Sequence, residues 1–329
     1  MKKLRVGVVG TGHLGFFHVK KYAGIAQAAD IVLTSVCDVR EEIVKETARK
    51  YNVEYYTDYN KMMHSVDAVS IVVPTILHHQ IARDFLKADK HVLIEKPLTK
   101  TLEEADELLA LAKKRNLIIQ VGHIERFNSA IRAIEPFLKK PKFIECQRLG
   151  SITKKARISD VGVVLDLMIH DIDIILGLVN SKVKNIEAFG ASSVSNHEDM
   201  ANVRLTFQNK VIADITASRL TNEEVRKLRI FQEDSYILMD YMNKEAVLFE
   251  KTNNVLGKKQ LVIEKKDALE IELLSFIDCV RNNKKPIVSG VEGREALCVA
   301  LAILEKIKSN PHSNKHFAHK AESFASFGV

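Results

Sequence analysis

The feature that most constrains the fold is a glycine cluster, Gly10-Thr11-Gly12-His13-Leu14-Gly15, which directly follows the short apolar run Leu4–Val9. The run is typical of a buried strand, and the residues after the cluster form a predicted helix. In this context Gly10 permits a tight turn, Gly12 lets the backbone approach a pyrophosphate, and Gly15 allows close packing of helix on strand. The pattern predicts a dinucleotide-binding unit. The alternative is a glycine-rich turn that binds no dinucleotide.

A carboxylate at the end of the second predicted strand indicates which dinucleotide is bound. The strand Ile31–Cys37 is followed by Asp38, where a carboxylate can accept both ribose hydroxyls of NAD and would repel the 2′-phosphate of NADP. Arg40, two residues later, is a possible partner for that phosphate. We therefore expect NAD, with NADP as the less favoured cofactor.

Strands and helices alternate through the first third of the chain. Further strands are predicted at residues 68–73, 91–94 and 117–121, with helices at 41–51, 76–88 and 101–115. This alternation predicts an α/β unit with a Rossmann-type, doubly wound parallel sheet. After about Gly122, strand-like runs separated by short turns predict an α+β unit with a large, mostly antiparallel open sheet flanked by helices. We therefore divide the chain into residues 1–122, for dinucleotide binding, and residues 123–329, to which the family resemblance described below assigns substrate binding and oligomerisation.

The composition argues against several other classes of protein. The chain has 329 residues, of which 46% are hydrophobic, enough for two domains with their own cores. No apolar run approaches the ~18 residues of a membrane-spanning helix, and Cys37, Cys146, Cys279 and Cys298 lack the spacing of a disulfide framework or a zinc site. Of the net charge of +7, much lies in residues 139–157, where seven basic residues stand against one acid. A short basic patch suits a small anionic ligand better than a nucleic acid, so we expect no nucleic-acid partner. From the lack of a long apolar run and of a disulfide framework, we expect a cytoplasmic protein without membrane partners.

Two groups of polar residues stand where chemistry is possible. Lys96 follows a predicted strand, and ligands bind beyond the carboxyl ends of the strands in an open parallel sheet; a surface lysine before a turn is the alternative. In the apolar helix predicted over residues 163–179, Asp166, His170 and Asp173 are spaced i, i+4, i+7 and share one face. A carboxylate one turn from a histidine can fix its tautomer and raise its basicity, as a general base requires. The alternatives are a structural pair in a satisfied core and a metal site, for which no second His or Cys ligand stands at a supporting spacing.

Five motifs in this order resemble those of the Gfo/Idh/MocA oxidoreductases, and the resemblance covers essentially the whole chain. They are the glycine cluster, Pro74-Thr75 with His78, Glu95-Lys96-Pro97, Val121-Gly122-His123 with Arg126-Phe127-Asn128, and Asp166-x-x-x-His170-x-x-Asp173. The family consists of NAD(P)-dependent dehydrogenases of sugars, cyclitols and sugar nucleotides. Some relatives of this fold bind the dinucleotide as regulators without catalysis, an alternative against which the intact Lys96, Asp166 and His170 argue.

The resemblance implies roles for individual residues. The catalytic set is Lys96, Asp166 and His170. The expected cofactor-binding residues are Gly10, Gly12, His13, Leu14, Gly15, Asp38, Arg40, Pro74, Thr75, His78, Glu95 and Lys96, of which Thr75, His78, Glu95 and Lys96 fall at the nicotinamide end. The expected substrate-binding residues are Lys96, Arg126, Asn128, Lys154, Lys155, Arg157, Asp166, His170 and Asp173. No metal ligand is expected.

The stretches Glu145–Leu149 and Val164–Asp173 resemble the branch of the family that acts on nucleotide sugars, including UDP-N-acetylglucosamine 3-dehydrogenases. Their 3-keto product is consumed by an aminotransferase in amino-sugar lipid A synthesis. The basic residues 154–157 could hold a diphosphate, or they form a solvated loop. A free-sugar or inositol dehydrogenase is the alternative. Met168 stands where the family often has glycine, and we expect it to reshape the sugar pocket. By resemblance, a homodimer or homotetramer is expected.

Overall fold

The computed structural model describes residues 3–151, 161–252 and 255–313. They fall into two compact units. The first unit holds the described residues up to Phe127 together with Lys266–Leu297, and the second unit holds Asn128–Lys265 and the residues from Cys298 onward. The chain therefore returns to the first unit after the second has begun.

The first unit is built on a parallel sheet. Among its described residues, the strands are β1 (Leu4–Val9), β2 (Ile31–Cys37), β3 (Glu54–Tyr56), β4 (Ala68–Ile71), β5 (His91–Glu95) and β6 (Ile119–Gly122). Their order is β3-β2-β1-β4-β5-β6, with every neighbouring pair parallel. The order reverses between β1 and β4, so the carboxyl ends of these two strands flank the crevice in which doubly wound sheets bind their ligands. The predicted Rossmann sheet is confirmed.

Helices follow the strands as the alternation predicts. In the described parts of the chain they are α1 (His13–Ile25), α2 (Glu41–Tyr51), α3 (Tyr59–Met62), α4 (His78–Lys87), α5 (Leu102–Arg115), α6 (Ser129–Ile134), α7 (Ile169–Val179), α8 (Ala268–Asn282) and α9 (Gly290–Ser309). None of the helices in these ranges is long and apolar enough to span a membrane. The start of α5 is fixed by Thr101 and Glu104, which form a reciprocal capping box.

The two faces of the parallel sheet carry separate hydrophobic cores, because successive side chains of a strand point to opposite faces. On β5, Leu93 joins the core beneath α1, α2 and α8, whereas Val92 and Ile94 join the core beneath α4 and α5. Four side chains of α8 complete the first of these cores, namely Leu269, Leu273, Phe276 and Ile277. The face that holds α1 in place therefore depends on residues from late in the sequence.

The second unit contains a larger, mostly antiparallel sheet. Its described strands are β7 (Phe143–Ser151), β8 (Val183–Ala191), β9 (Met200–Phe207), β10 (Ile212–Thr221), β11 (Val225–Phe231), β12 (Ser235–Asp240), β13 (Glu245–Thr252) and β14 (Val255–Gln260). Their order is β14-β13-β12-β11-β7-β10-β9-β8. β7 and β10 are parallel and the other neighbours are antiparallel. On β10, Ala213, Ile215 and Ala217 are buried while Asp214 and Thr216 are half-buried, so one face of the sheet forms the core and the other is open. The predicted fold class is confirmed.

Candidate active site

The glycine cluster forms a turn in which the backbone passes unusually close to itself. Gly10 has a φ of +90°, a conformation that side chains rarely adopt, and a Cβ there would lie 2.1 Å from the carbonyl oxygen of Val72. A Cβ on Gly15 would lie 1.7 Å from the carbonyl oxygen of Gly10. Both glycines are therefore needed to bring α1 against the ends of β1 and β4, as the sequence predicts.

A cavity of about 430 Å³ opens at the amino end of α1. Thr11, Gly12, His13, Phe16, Phe17, Arg40, Ile43, Glu46, Thr47 and Lys50 line it. No side chain caps the N-terminus of α1 at Gly12, which leaves the helix amides to an anionic ligand. His13 and Leu14 are exposed at this helix start, and a Cβ on Gly12 would come 3.3 Å from Nη2 of Arg40. The space kept open by Gly12 and the uncapped helix end fit the pyrophosphate of a dinucleotide.

Asp38 lies buried beside this cavity in a dense set of hydrogen bonds. Its Oδ2 accepts from the backbone amide of Thr11 at 2.8 Å and from Nη2 of Arg40 at 2.9 Å, while its Oδ1 accepts from Nε of Arg40 at 2.9 Å. Burial opposes ionisation, but the hydrogen bonds from Arg40 and Thr11 outweigh it and lower the pKa of Asp38 to about 2. Asp38 is therefore a carboxylate at any physiological pH, as ribose recognition requires.

Pro74 and the four residues expected at the nicotinamide end lie at or shortly after the carboxyl ends of β4 and β5. Pro74 is exposed and Thr75 and Lys96 are half-buried, whereas His78 and Glu95 are buried. His78 lies with Nδ1 at 2.9 Å from the carbonyl oxygen of Pro97 and Nε2 at 2.9 Å from that of Val73. Its ring nitrogens are thus engaged by the backbone. Direct contact of these five residues with a cofactor stays a prediction.

The Gly122-His123 and Arg126-Phe127-Asn128 motifs follow β6. His123 is completely buried, and burial together with the cations of Lys96 and Arg126 lowers its pKa to about 3. His123 is therefore neutral beside the two cations. Arg126 is half-buried in the first unit, whereas Asn128 begins α6 in the second unit, where its side-chain oxygen accepts from the amide of Ala130. Substrate binding by Arg126 and Asn128 remains a prediction.

In the second unit, the helix that carries Asp166, His170 and Asp173 is not a regular α-helix. Val164–Met168 forms a π-helical turn, with i to i+5 hydrogen bonds, before α7 begins at Ile169. The predicted single α-helix over 163–179 is therefore wrong in its first turns. Asp166 lies within this wider turn and His170 lies in α7, so the i, i+4 geometry of a regular α-helix does not describe how the two side chains are arranged. Both are half-buried, and Asp173 is buried. Met168 is completely buried in the interior of the second unit.

Asp171 lies off the face shared by Asp166, His170 and Asp173, and the sequence assigns it no role. Arg148 of β7 holds it in a two-point ion pair, with Nε at 2.8 Å from Oδ2 and Nη2 at 2.8 Å from Oδ1. The side chains are 5% and 0% exposed. The signal in the sequence is an acid that lies off the face shared by Asp166, His170 and Asp173, among apolar residues, because a buried carboxylate is costly unless it is paired. The pair ties the residue next to His170 to the middle of the sheet.

The predicted basic patch over residues 139–157 is not a continuous surface. Arg148 is buried against Asp171, and Lys139 lies 3.1 Å from the carboxylate of Glu250. Lys154, Lys155 and Arg157 lie outside the described residues, so diphosphate binding there stays a prediction. The net charge of this segment is therefore larger than the positive charge that a ligand could meet, because acids distant in sequence pair with Lys139 and Arg148.

The chain matches two family models. One, described as an oxidoreductase family with an NAD-binding Rossmann fold, covers residues 4–123, and the other, described as the Gfo/Idh/MocA C-terminal domain, covers residues 131–237. The sequence is 34% identical over 310 residues to UDP-N-acetylglucosamine 3-dehydrogenase of Acidithiobacillus ferrooxidans, spanning 92% of this chain and 97% of that protein. It is 26% identical to myo-inositol 2-dehydrogenase of Thermotoga maritima, spanning 93% and 96% respectively.

Solved structures agree with these matches. The structure of the Acidithiobacillus ferrooxidans UDP-N-acetylglucosamine 3-dehydrogenase superposes with a TM-score of 0.88 over 94% of this chain and 99% of that chain. A levoglucosan dehydrogenase in complex with NADH and levoglucosan has a TM-score of 0.85 at 19% identity, over 93% and 97%, and shares the fold. The predicted enzyme class and the predicted NAD cofactor are confirmed. The chain belongs to the Gfo/Idh/MocA family of NAD-binding oxidoreductases.

Proposed function

We propose that this protein is an NAD-dependent dehydrogenase that oxidises the C3 hydroxyl of UDP-N-acetylglucosamine to a ketone. The observation that carries the proposal is the 34% identity with a UDP-N-acetylglucosamine 3-dehydrogenase along 92% of the chain. The likeness extends through the second unit, where this family places its substrate residues. Bound NAD supplies the hydride acceptor, and the pocket at Gly12 and Asp38 holds its pyrophosphate and ribose.

In the proposed reaction, two side chains act on the substrate hydroxyl and a third orients one of them. His170 takes the hydroxyl proton as general base, Asp166 orients the imidazole, and Lys96 donates a hydrogen bond to the same oxygen as negative charge develops on it. Half-burial of Asp166 and His170 supports these roles, since each is sheltered from bulk water and still reachable. The buried Arg148–Asp171 pair supports them too, because it holds the adjacent residue fixed.

An inositol dehydrogenase is the second candidate. It is supported by the 26% identity with myo-inositol 2-dehydrogenase across 93% of the chain. Such an enzyme would use the same catalytic residues and would need no cation for a diphosphate. Lys154, Lys155 and Arg157 therefore separate the two candidates, since only a nucleotide sugar gives them a ligand.

The test is formation of NADH by the purified protein with UDP-N-acetylglucosamine, free N-acetylglucosamine or myo-inositol. A glutamate-dependent aminotransferase specific for 3-keto sugar nucleotides is included to draw the equilibrium forward. We expect turnover with the nucleotide sugar and, by mass spectrometry and NMR, a product in which an amino group has replaced the C3 hydroxyl. Without the aminotransferase, the expected product is the 3-ketone, formed by loss of the C3 hydrogen as hydride and of the hydroxyl proton. Turnover with myo-inositol alone would establish the second candidate. NADH binding without turnover of any sugar would indicate a non-catalytic dinucleotide-binding regulator.

We also propose a cytoplasmic homodimer or homotetramer. The open face of the second unit's sheet carries a row of aromatic rings, with centroids 5.7 Å apart between Phe143 and Phe231 and 4.6 Å apart between Phe231 and Tyr236. Phe231 is 41% exposed, and such a face gains free energy when a second copy covers it. The free thiols of all four cysteines suit a reducing compartment. Light scattering after size exclusion tests the assembly, and a monomeric mass contradicts it.

A further inference from the structure

We propose that two buried histidines of the first unit, His18 and His78, are positioning residues that hold Lys96 from either side. The inference rests on the proposed function, in which Lys96 donates a hydrogen bond to the substrate oxygen. Each histidine contacts a residue directly adjacent to Lys96. His18 acts on Glu95, and His78 acts on Pro97.

His18 secures the residue before Lys96. It lies on α1, is completely buried, and has Nε2 at 3.1 Å from Oε1 of Glu95. A carboxylate only accepts hydrogen bonds, so Nε2 carries the proton in this contact. The other carboxylate oxygen of Glu95 accepts from the backbone amide of Lys96 at 3.3 Å. One carboxylate thus links the imidazole of α1 to the main chain of Lys96.

The space for this carboxylate is provided by a glycine. Gly122 pairs with Glu95 across the sheet, and a Cβ there would lie 2.8 Å from the Glu95 carboxyl carbon. Nδ1 of His18 is buried without a hydrogen-bond partner in the described structure. A buried polar atom without a partner has a free-energy cost, which a hydrophobic side chain at position 18 would avoid. The histidine is therefore favoured by what its other nitrogen does for Glu95.

His78 secures the residue after Lys96. Its Nδ1 lies 2.9 Å from the carbonyl oxygen of Pro97, and its Nε2 lies 2.9 Å from the carbonyl oxygen of Val73. Burial lowers the pKa of His78, against the opposing influence of these carbonyls and of Glu95. A neutral ring has one N–H and donates to one carbonyl at a time. Donation from Nδ1 to Pro97 is the bond that fixes the segment carrying Lys96.

The geometry permits an experiment with crossed substitutions. An asparagine amide reaches about as far as Nδ1 of histidine, and a glutamine amide about as far as Nε2. At position 18 the working atom is Nε2, so His18→Gln preserves the contact with Glu95 and His18→Asn removes it. At position 78 the working atom is Nδ1, so His78→Asn preserves the contact with Pro97 and His78→Gln removes it.

The first readout does not require a substrate. Acetic anhydride labels lysine amines, and mass spectrometry compares the labelling rate of Lys96 with that of the exposed Lys87 as an internal reference. Release of Lys96 makes its amine more accessible, so we expect about threefold faster labelling of Lys96 in His18→Asn and His78→Gln. We expect rates close to those of the unmodified protein in His18→Gln and His78→Asn. His79→Gln is the matched control, because His79 neighbours His78 in sequence and bonds Glu107 instead.

The second readout is turnover with the nucleotide sugar. Misplacement of Lys96 is expected to lower kcat about 10- to 100-fold in His18→Asn and His78→Gln. In His18→Asn, the KM for substrate and the fluorescence titration of NADH should be little changed. His18→Gln restores the rate, whereas at position 78, which is also an expected cofactor-binding residue, the labelling of Lys96 is the deciding readout. If no sugar is oxidised by the unmodified protein, the proposed function fails, whereas the labelling pattern still decides the positioning role.

Two results would overturn the inference. One is equal labelling of Lys96 in all five variants and the unmodified protein. The other is a pattern in which the glutamine and asparagine variants at each position give the same labelling rate of Lys96. In that pattern the labelling rates of Lys96 and Lys87 rise together, and the melting temperature falls. That second pattern describes histidines that only support the fold.

Discussion

The first and second units prepare their sites with different parts of the polypeptide. In the first, recognition of the dinucleotide depends on main-chain geometry, as the positive φ of Gly10 and the uncapped start of α1 show. In the second, the candidate groups are side chains on a helix, and a π-turn and a buried ion pair hold them in place. A backbone that binds pyrophosphate suits every ligand that carries this group, and changes of side chain alter it little. The side chains that face a sugar, in contrast, can be replaced to suit another sugar. Cofactor use is therefore expected to tolerate less change than substrate choice.

The largest expected effect tests this division of roles. Replacement His170→Ala removes the proposed base of the second unit, and kcat should fall about 1,000-fold because general base catalysis is lost. NADH affinity, measured by fluorescence titration, should remain unchanged because the dinucleotide pocket lies in the first unit. His197→Ala, at an exposed histidine of the second unit, is the control and should retain full activity. A parallel loss of NADH affinity in His170→Ala would contradict the division of roles between the two units.

The next effect concerns the stability of the second unit. Asp171→Asn leaves Arg148 as a buried charge without its counter-ion, and should lower the free energy of unfolding by about 3 kcal/mol. Asp214→Asn provides a matched control, since it breaks a two-point pair with Arg204 whose side chain is 51% exposed, and surface pairs contribute little. Urea unfolding followed by circular dichroism gives both values. Similar losses in the two variants would mean that burial of the Arg148 pair is not important.

A smaller effect should appear in the first unit as a dependence on pH. The pKa of Asp38 in the folded protein is about 2, below the ordinary value of an aspartate. Asp38 therefore contributes stability above that ordinary value, and the contribution is lost as the pH falls toward 2. At neutral pH, Asp38→Asn should be less stable by about 2 kcal/mol. Unfolding experiments at several pH values should show the difference shrinking in acid, and a difference independent of pH would contradict the assignment.

The smallest expected effect separates two glycines of the same region. Gly12→Ala places a Cβ 3.3 Å from the flexible end of Arg40, so the stability of the fold should change little. NADH affinity should fall about tenfold, because the added methyl group occupies space that the pyrophosphate needs. Gly24→Ala, inside α1 with nothing within 4 Å of its Cβ, should leave affinity unchanged and add about 0.5–1 kcal/mol of stability. Titration and thermal unfolding test both. A loss of stability in Gly12→Ala would show that its role is structural.

Periodicity and glycine spacing were sufficient to predict the fold class and the dinucleotide pocket. They failed where side-chain patterns carry little information. β14 is exposed at every position and β3 is only three residues long, so neither shows an alternation of buried and exposed residues. The π-turn at Val164–Met168 was missed because its residues suit an α-helix equally well.

Long-range ion pairs were the other source of error. Arg148 looked like part of a basic surface because the sequence does not show that Asp171 faces it. The domain division at residue 122 remains a prediction. In the structure, Lys266–Leu297 belong with the first compact unit, although they read in sequence as an ordinary continuation of the second.

That late return of the chain matters during synthesis on the ribosome. Until α8 has emerged, the core that α1 and β1 share with Leu273 and Phe276 remains incomplete. A nascent chain that ends before Lys266 therefore exposes apolar surface of the first unit, and such surface is prone to aggregation. A premature stop codon before α8 would therefore also disrupt the packing of the amino-terminal unit.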